Sequence, residues 1–169
     1  MKRSVLNTVC VLLLLSAGTV SARAETPAGA TLIRAIDNKI FAQVLVNELM
    51  TANPDLMGAG LHAIPPNGTG YVIVAQMRDI IGTKSSEDDL EIIKQDATRI
   101  YPDMLNGQPR MKALAPLRDR HGQIIGLAAL SFKRGPDTSK LAVHARLDAI
   151  LQELAARIPD RAALFSPIP

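Results

Sequence analysis

The sequence predicts an α+β fold in which one antiparallel sheet is covered by a helix from each end of the chain. Two pairs of apolar, extended segments are each joined by a turn, and each pair is typical of a β-hairpin. An apolar stripe at helical spacing precedes the first pair, and another follows the second pair. We therefore expect four or five antiparallel strands with long N- and C-terminal helices packed on one face.

The first 24 residues have the three parts of a secretory signal peptide. Lys2 and Arg3 give a positive start, and residues 5–20 are almost wholly apolar. This run of about 16 residues is shorter than the ~20 that span a bilayer, and Ala22 and Ala24 have the small side chains that signal peptidase recognises. We expect cleavage after Ala24, with residues 25–169 forming a single domain that is periplasmic or secreted. An uncleaved N-terminal anchor is the alternative.

The mature chain is expected to carry neither excess charge nor a thiol. The full sequence has 19 Lys and Arg against 16 Asp and Glu, and three of the cations lie in the leader. The balanced remainder does not favour nucleic acid as a partner, because that partner requires a clustered basic face. Cys10 is the only cysteine and also lies in the leader, so the mature domain has no disulfide, thiol nucleophile or thiolate metal site.

The first half of the mature chain is predicted to hold one helix and one hairpin. Isoleucines and leucines at helical spacing predict a helix over residues 31–52, ended by Asn53-Pro54. Residues 56–64 and 71–75 predict two strands joined by a turn, the first of them weakened by its two glycines.

The middle of the chain is less regular. Residues 78–86 are expected to be loop, and Ser86 followed by Asp89 predicts the capped start of a short helix over 87–96. Residues 97–108 contain Tyr101-Pro102-Asp103 and Asn106-Gly107, and they are interpreted as loop or turn.

The last third predicts a second hairpin and a helix. Residues 111–117 and 124–133 are extended and flank a turn at 119–122. A helix over 139–158 follows, capped by Asp137 or Thr138 and ended by Pro159. Its apolar stripe consists of Leu141, Leu147, Ile150, Leu151, Leu154 and Ile158. Because the long strands are apolar on both faces, the face away from the terminal helices must meet the middle segment or a ligand held beneath it.

The segment over 71–134 resembles a known family. Val72-Ile73-Val74-Ala75, then Ile81-Gly82-Thr83-Lys84 and an acidic segment, are similar to the middle of a Cache domain, and so is the hairpin from Leu114 to Gly126. Cache domains are extracytoplasmic relatives of PAS domains and occur in bacterial sensor receptors. The resemblance implies a single-Cache, PAS-like sheet that binds a small ligand. The chain departs from the family in lacking a second membrane span and an output domain, so we expect a free-standing binding module.

Three histidines occur in the mature chain, and none has the spacing of a metal site. His144 lies on the apolar stripe of the last helix and is interpreted as a packed core residue. His121 lies in a turn and is expected to be solvated. His62 follows Leu61 in a strand, where it could point into a pocket or to the surface, and it is kept as a candidate ligand-binding residue.

The other candidates are Arg99, Tyr101, Asp103 and Lys112. An arginine can hold a carboxylate, an aromatic ring can cover a ligand, and an aspartate can bind an ammonium group. The resemblance places the first three in the ligand-facing loop of a Cache domain; an ordinary turn is the alternative. Arg110 and Lys112 begin the predicted third strand, where alternate residues of a PAS-like sheet face the pocket. Lys112 is the candidate for an anionic group, and a solvated sheet edge is the alternative.

The sequence therefore predicts an exported module that binds a small polar or anionic ligand. No paired titratable groups, nucleophile motif or phosphate loop is found, so we expect neither an enzyme nor a bound cofactor or metal. The alternative is an interaction protein without a small ligand, which pairs through its sheet or helices with a membrane receptor or with itself. A pocket lined by convergent polar groups would favour the first hypothesis, and a tightly packed apolar core the second.

Overall fold

The computed structural model describes residues 40–168, so the predicted signal peptide and the start of the predicted N-terminal helix lie outside the described residues. Three helices and five strands follow one another within these described residues. In order they are α1 (Phe41–Ala52), β1 (Leu56–Ala63), β2 (Val72–Gln76), α2 (Glu87–Gln95), β3 (Arg99–Leu105), β4 (Gln108–Arg118), β5 (Ile124–Lys133) and α3 (Lys140–Arg157). A short 3₁₀ helix, Ala162–Phe165, comes before the C-terminus.

The strands form one open antiparallel sheet in the order β2-β1-β5-β4-β3. Both predicted hairpins are confirmed. The sheet has five strands, where four or five were expected. A single antiparallel sheet of this kind is what a PAS-like resemblance implies. The two ends of the described segment meet beside α1, where Ile40 pairs with Pro167 and the Phe41 amide donates to the Ser166 carbonyl at 3.0 Å.

One face of the sheet packs against α1 and α3. Helix α1 lies over β1 and β2, and α3 lies over β3, β4 and β5. Alternate strand residues such as Leu61, Ala113 and Leu130 are fully buried against Leu45 of α1 and Leu147 of α3. These contacts form the main hydrophobic core.

The opposite face is covered in part by α2. Ile92 packs on Leu114 and Leu127, and Tyr101 and Ala129 lie at the edge of this small cluster. Helix α2 begins where predicted, with a complete capping box in which the Ser86 hydroxyl accepts from the Asp89 amide and the Asp89 carboxylate accepts from the Ser86 amide. Because this helix has only nine residues, the rest of the face stays uncovered by it.

The prediction of a loop over 97–108 is wrong. Residues 99–105 form β3, which pairs with β4 without a register shift, and Asn106 and Gly107 make the connecting turn with φ values of 52° and 76°. Positive φ at both positions is typical of a tight two-residue hairpin, where Asn-Gly is favoured. Pro102 suggested a turn, but a proline without an N–H group is tolerated on an edge strand, and β3 is an edge.

The predictions for the terminal helices are wrong in three details. Ile40 is extended, with φ −104° and ψ 152°, so α1 begins at Phe41 and the predicted helix over 31–52 is not continuous there. Helix α3 is capped by the Ser139 hydroxyl, which accepts from the Ala142 amide, and not by Asp137 or Thr138. Leu141 is 81% exposed, because it comes two residues before the buried Val143 and therefore lies on the opposite side of α3, whereas Leu147, Ile150 and Leu154 are buried as predicted.

Candidate functional site

A cavity of about 190 Å³ opens on the face of the sheet that α2 covers in part. Its walls come from all five strands and α2, together with Met77, Arg78 and Ile80. This volume is below the ~300–1,000 Å³ of drug-sized pockets. The cavity therefore suits a small metabolite.

The floor of the cavity is made of small residues. Gly58 pairs with Ser131 and Gly60 pairs with Ala129 across the β1–β5 junction. A β carbon built at Gly58 would meet nothing closer than the Ser131 side chain at 4.0 Å, so space remains above the backbone there. Gly58, one of the two glycines that were expected to weaken the strand, instead leaves room over the strand.

Two cations lie on the β4 side, because residues two apart on a strand face the same way. Arg110 donates to the Asp103 carboxylate and, through Nη1, to the Ser131 hydroxyl at 2.7 Å. The Arg110 hydrogen bond holds the pKa of Asp103 below its usual value. Lys112 Nζ lies 5.8 Å from the centre of the Tyr101 ring, and within residues 40–168 it has no carboxylate partner within 4.0 Å. Of these two β4 cations, Lys112 is thus the one whose charge remains unneutralised beside the cavity.

His62 forms the corner of the cavity beneath α2. Its Nδ1 lies 2.9 Å from the Ser85 hydroxyl and 3.7 Å from Asp89 Oδ2. Burial lowers the pKa of His62, and the Lys112 charge lowers it further, while Asp89 acts in the opposite direction. The net direction is downward, so the ring is neutral near pH 7.

Ser85 reaches His62 because the segment before α2 pairs with the outer side of β2. The Ile73 amide donates to the Thr83 carbonyl at 2.9 Å, and the Ser85 amide donates to the Tyr71 carbonyl at 3.0 Å. Gly82, with φ 85°, allows the chain to turn into this pairing.

Gln76 forms the wall opposite the cations. Its backbone amide donates to the Gln43 side chain at 3.1 Å, which fixes the end of β2. Its side chain extends over β1, so that a β carbon built at Gly60 would lie 3.1 Å from Nε2. Among the residues that the structure describes, Oε1 of Gln76 is the buried side-chain acceptor that has no hydrogen-bond partner.

The structure brings two of the five predicted site residues to the cavity. His62 and Lys112 line it. Tyr101 and Asp103 do not line it but contact its cations, the first beside Lys112 and the second bound to Arg110. Arg99 lies farther away, with a half-exposed side chain 3.7 Å from Asp88. The binding roles of all five remain predictions.

Sequence reasoning missed the other wall and the floor. Gln76, Ser131 and the two glycines carried no motif, and Asp89 was assigned only to the helix cap. The available signal was the spacing of Gly58 and Gly60. Because they are two residues apart, they lie on the same face of the strand and leave that face without side chains. The interpretation of His144 as a core residue is wrong, since its side chain is 48% exposed and lies 3.0 Å from Asp148 of the same helix. His121 is exposed, as expected.

No three side chains of His, Cys, Asp and Glu in the described part of the chain cluster as metal ligands would. Likewise, none of the helices within residues 40–168 combines the length and the apolar character that crossing a membrane requires.

No protein-family model matches the chain, and no curated protein matches it either. Among solved structures, the chain is similar to one from work in which a flavin analogue was used on the mechanism of a light-oxygen-voltage domain. The two are 16% identical, the match covers 68% of this chain and 98% of that one, and the TM-score is 0.36. Backbones that differ this much give no basis for transferring a ligand or an activity.

Proposed function

We propose that this chain is an exported, single-Cache-type binding module that captures a small anionic molecule in the cavity over β1 and β5. The observation that carries the proposal is Lys112, a half-buried cation without a carboxylate partner in the described residues, beside a cavity whose floor is bare at Gly58. Export rests on the signal-peptide pattern of the first 24 residues.

The charges around the cavity favour an anion over a cation. The charge of Arg110 is largely balanced by Asp103, but Lys112 adds a positive field that also acts on His62. An anion beside Lys112 would gain a charge-assisted hydrogen bond in a partly desolvated site, where such bonds are strong. The Ser131 hydroxyl accepts from Arg110, so its own proton is available to the same anion.

The alternative function is pairing with a membrane receptor or with a second copy, without a small ligand. Exposed apolar side chains support it, since Met104 on the edge strand is 57% exposed and Leu141 on α3 is 81% exposed. The convergent polar groups of the cavity favour ligand capture.

A thermal-shift screen of the exported protein tests the proposal, because a ligand of the native state raises the melting temperature by mass action. The probes are inorganic phosphate, sulfate and unbranched monocarboxylates of two to six carbons. We expect at least one anion to stabilise the protein, and Lys112→Met and Gly58→Leu to weaken its binding by at least about tenfold. The first removes the cation, and the second fills the floor without a backbone clash.

Arg99→Met is the matched control, because it removes an exposed cation outside the cavity lining. Its affinity should equal that of the wild type. An equal loss in Arg99→Met and Lys112→Met would place the site elsewhere, and the absence of any stabilising anion would reject ligand capture in favour of the pairing function.

A further inference from the structure

We infer that two copies of this chain pair through α3, with the two helices antiparallel about a two-fold axis, so that Leu141 of each copy enters a groove on the other. The groove lies between the second half of α3 and the end of β4. This surface is on the face of the sheet that carries the helices α1 and α3. The inference therefore does not depend on the proposed anion site, which lies on the opposite face.

The first observation is the outer face of α3, which is apolar although it points away from the core. Leu141 is 81% exposed. Ala145 and Ala149 follow it at intervals of four residues and are exposed as well. The distance between two packed helices depends on the side chains at the contact, so alanines allow a close approach.

The second observation is that the charged side chains of α3 leave this outer face nearly neutral. Arg157 donates to the Glu48 carboxylate of α1, and Arg146 donates to the loop that follows α1, so both are turned towards that helix. Asp148 Oδ2 lies 3.0 Å from His144 Nδ1 of the same helix. A face with an exposed leucine and few free charges is typical of the centre of a protein interface.

The third observation is the groove itself, which measures about 270 Å³. Its apolar lining residues are Ala115, Pro116, Leu151 and Ala155. Arg118 and Asp96 also line it, but they form an ion pair with each other. The groove thus has room for an apolar side chain that the described part of the chain does not supply.

The spacing of the exposed leucine and the groove selects a second copy as the occupant. Eleven residues make just over three helical turns, so Leu141 and Gln152, which lines the groove, lie on the same side of α3. The groove residues of α3 follow Leu141 by about 15–21 Å along the helix axis. A two-fold axis midway, close to residues 146–148, therefore brings each leucine to the groove of the other copy. The two contacts are identical, as a symmetric dimer requires.

Sedimentation velocity of the exported protein tests the pairing. Helix α3 has 18 residues, and a contact along its length of about 27 Å is small compared with a standard interface of about 1,600 Å². We therefore expect a monomer–dimer equilibrium with a dissociation constant above about 10 μM, followed from about 1 to about 500 μM protein. At the lowest concentrations the chain is a monomer, in which Leu141 stays exposed.

Leu141→Glu should raise the dissociation constant at least about tenfold, because the dimer would have to bury a carboxylate in an apolar groove. Leu90→Glu is the matched control. It introduces the same charge at an exposed leucine of α2, which covers the opposite face of the sheet, and should leave the dissociation constant within about twofold. Circular dichroism checks that both variants are folded.

Cross-linking with bismaleimidoethane tests the antiparallel arrangement without a variant that weakens the dimer. The mature chain is expected to have no other thiol, because Cys10 lies in the predicted leader. A mixture of Leu141→Cys and Gln152→Cys should give a cross-linked dimer. Leu141→Cys alone should not, because the two copies of residue 141 would lie about 16 Å apart along the axis.

Each contrary result overturns the inference. A monomer at every concentration would exclude the dimer, and an equal effect of Leu141→Glu and Leu90→Glu would exclude α3 as the interface. Strong cross-linking of Leu141→Cys alone would exclude the antiparallel arrangement. None of these results changes the anion binding measured by thermal shift, so failure of the dimer and failure of the proposed function are distinguishable.

Discussion

Gly126 of β5 lies so close to His62 of β1 that a β carbon at position 126 would stand 1.9 Å from the His62 carbonyl oxygen. The neighbouring backbone cannot give way easily, because it is part of the β1–β5 ladder in which Gly126 pairs with Ala63. The contact is made by the backbone of His62, and the side chain of the same residue lines the cavity. A glycine at this position therefore helps to fix the strand that carries the site.

The first prediction is that Gly126→Ala destabilises the protein by at least about 3 kcal/mol or prevents folding, because overpacking against backbone cannot relax by side-chain movement. Urea denaturation followed by circular dichroism measures the effect. Gly135→Ala is the control, since its nearest contact would be the Thr138 hydroxyl at 3.8 Å and it should change stability by less than about 1 kcal/mol. Similar stabilities for the two variants would contradict the close approach.

The second prediction concerns pH. Burial lowers the pKa of His62 in the folded protein below its ordinary value of 6.5, so between pH 6.5 and the lower folded pKa the unfolded chain binds a proton that the folded chain does not. The contribution of the neutral His62 ring to the free energy of unfolding is therefore present above pH 6.5. As the pH falls below 6.5 this contribution is lost, by up to about 1.4 kcal/mol per pH unit.

Chemical denaturation of the wild type and His62→Gln at pH 7.5, 6.5 and 5.5 isolates this contribution, because the other titrating groups are shared. The wild type should lose more stability than the variant on acidification. A parallel pH dependence in the two proteins would show that His62 titrates normally.

The third prediction concerns the start of α2. Ser86→Ala removes the hydroxyl that accepts from the Asp89 amide and should cost about 0.5–2 kcal/mol. Ser86→Asp keeps an acceptor at the cap and should retain most of the stability. Thermal melts of the three proteins measure this, and equal losses in both variants would argue against the capping box.

The fourth prediction tests the buried face of α3. Leu154 is 2% exposed and packs in the main core, so Leu154→Ala should cost about 2–5 kcal/mol. Leu141→Ala removes the same atoms from a position that is 81% exposed and should change stability by less than about 1 kcal/mol. The midpoints of urea denaturation of the two variants measure the difference. A large loss of stability in Leu141→Ala would mean that the Leu141 side chain is buried in a contact in solution.

The sequence was most informative where local pattern and tertiary structure agree. The hairpin of β4 and β5 and the capped start of α2 follow from alternation, turn residues and the Ser86–Asp89 spacing. Strand β3 was missed because Pro102 is a strong local turn signal, and only its position at the sheet edge makes it acceptable. Edge position depends on strand order, which no local pattern contains.

The candidate site was predictable to the extent that it depends on one strand. The PAS-like resemblance and strand alternation made Lys112 a candidate for the pocket face, with a solvated sheet edge as the alternative, and His62 was an even choice between pocket and surface. Gln76, Gly60 and Ser131 come together through the register of β2, β1 and β5, which includes a shift between Leu61 and His62. Register of this kind is set by packing of the whole sheet and could not be derived from the separate segments.

Pro102 also bears on how this protein behaves at high concentration. A free strand edge can act as a template on which another chain adds a strand, and this is a common route to aggregation. Proline offers no donor to an incoming strand at the outer side of β3, and the outer side of β2 already pairs with residues 82–85. Pro102→Val should therefore raise the scattering of concentrated solutions, and unchanged scattering would count against this protective role. Both edges of the sheet are thus poor templates for the addition of a strand from another copy.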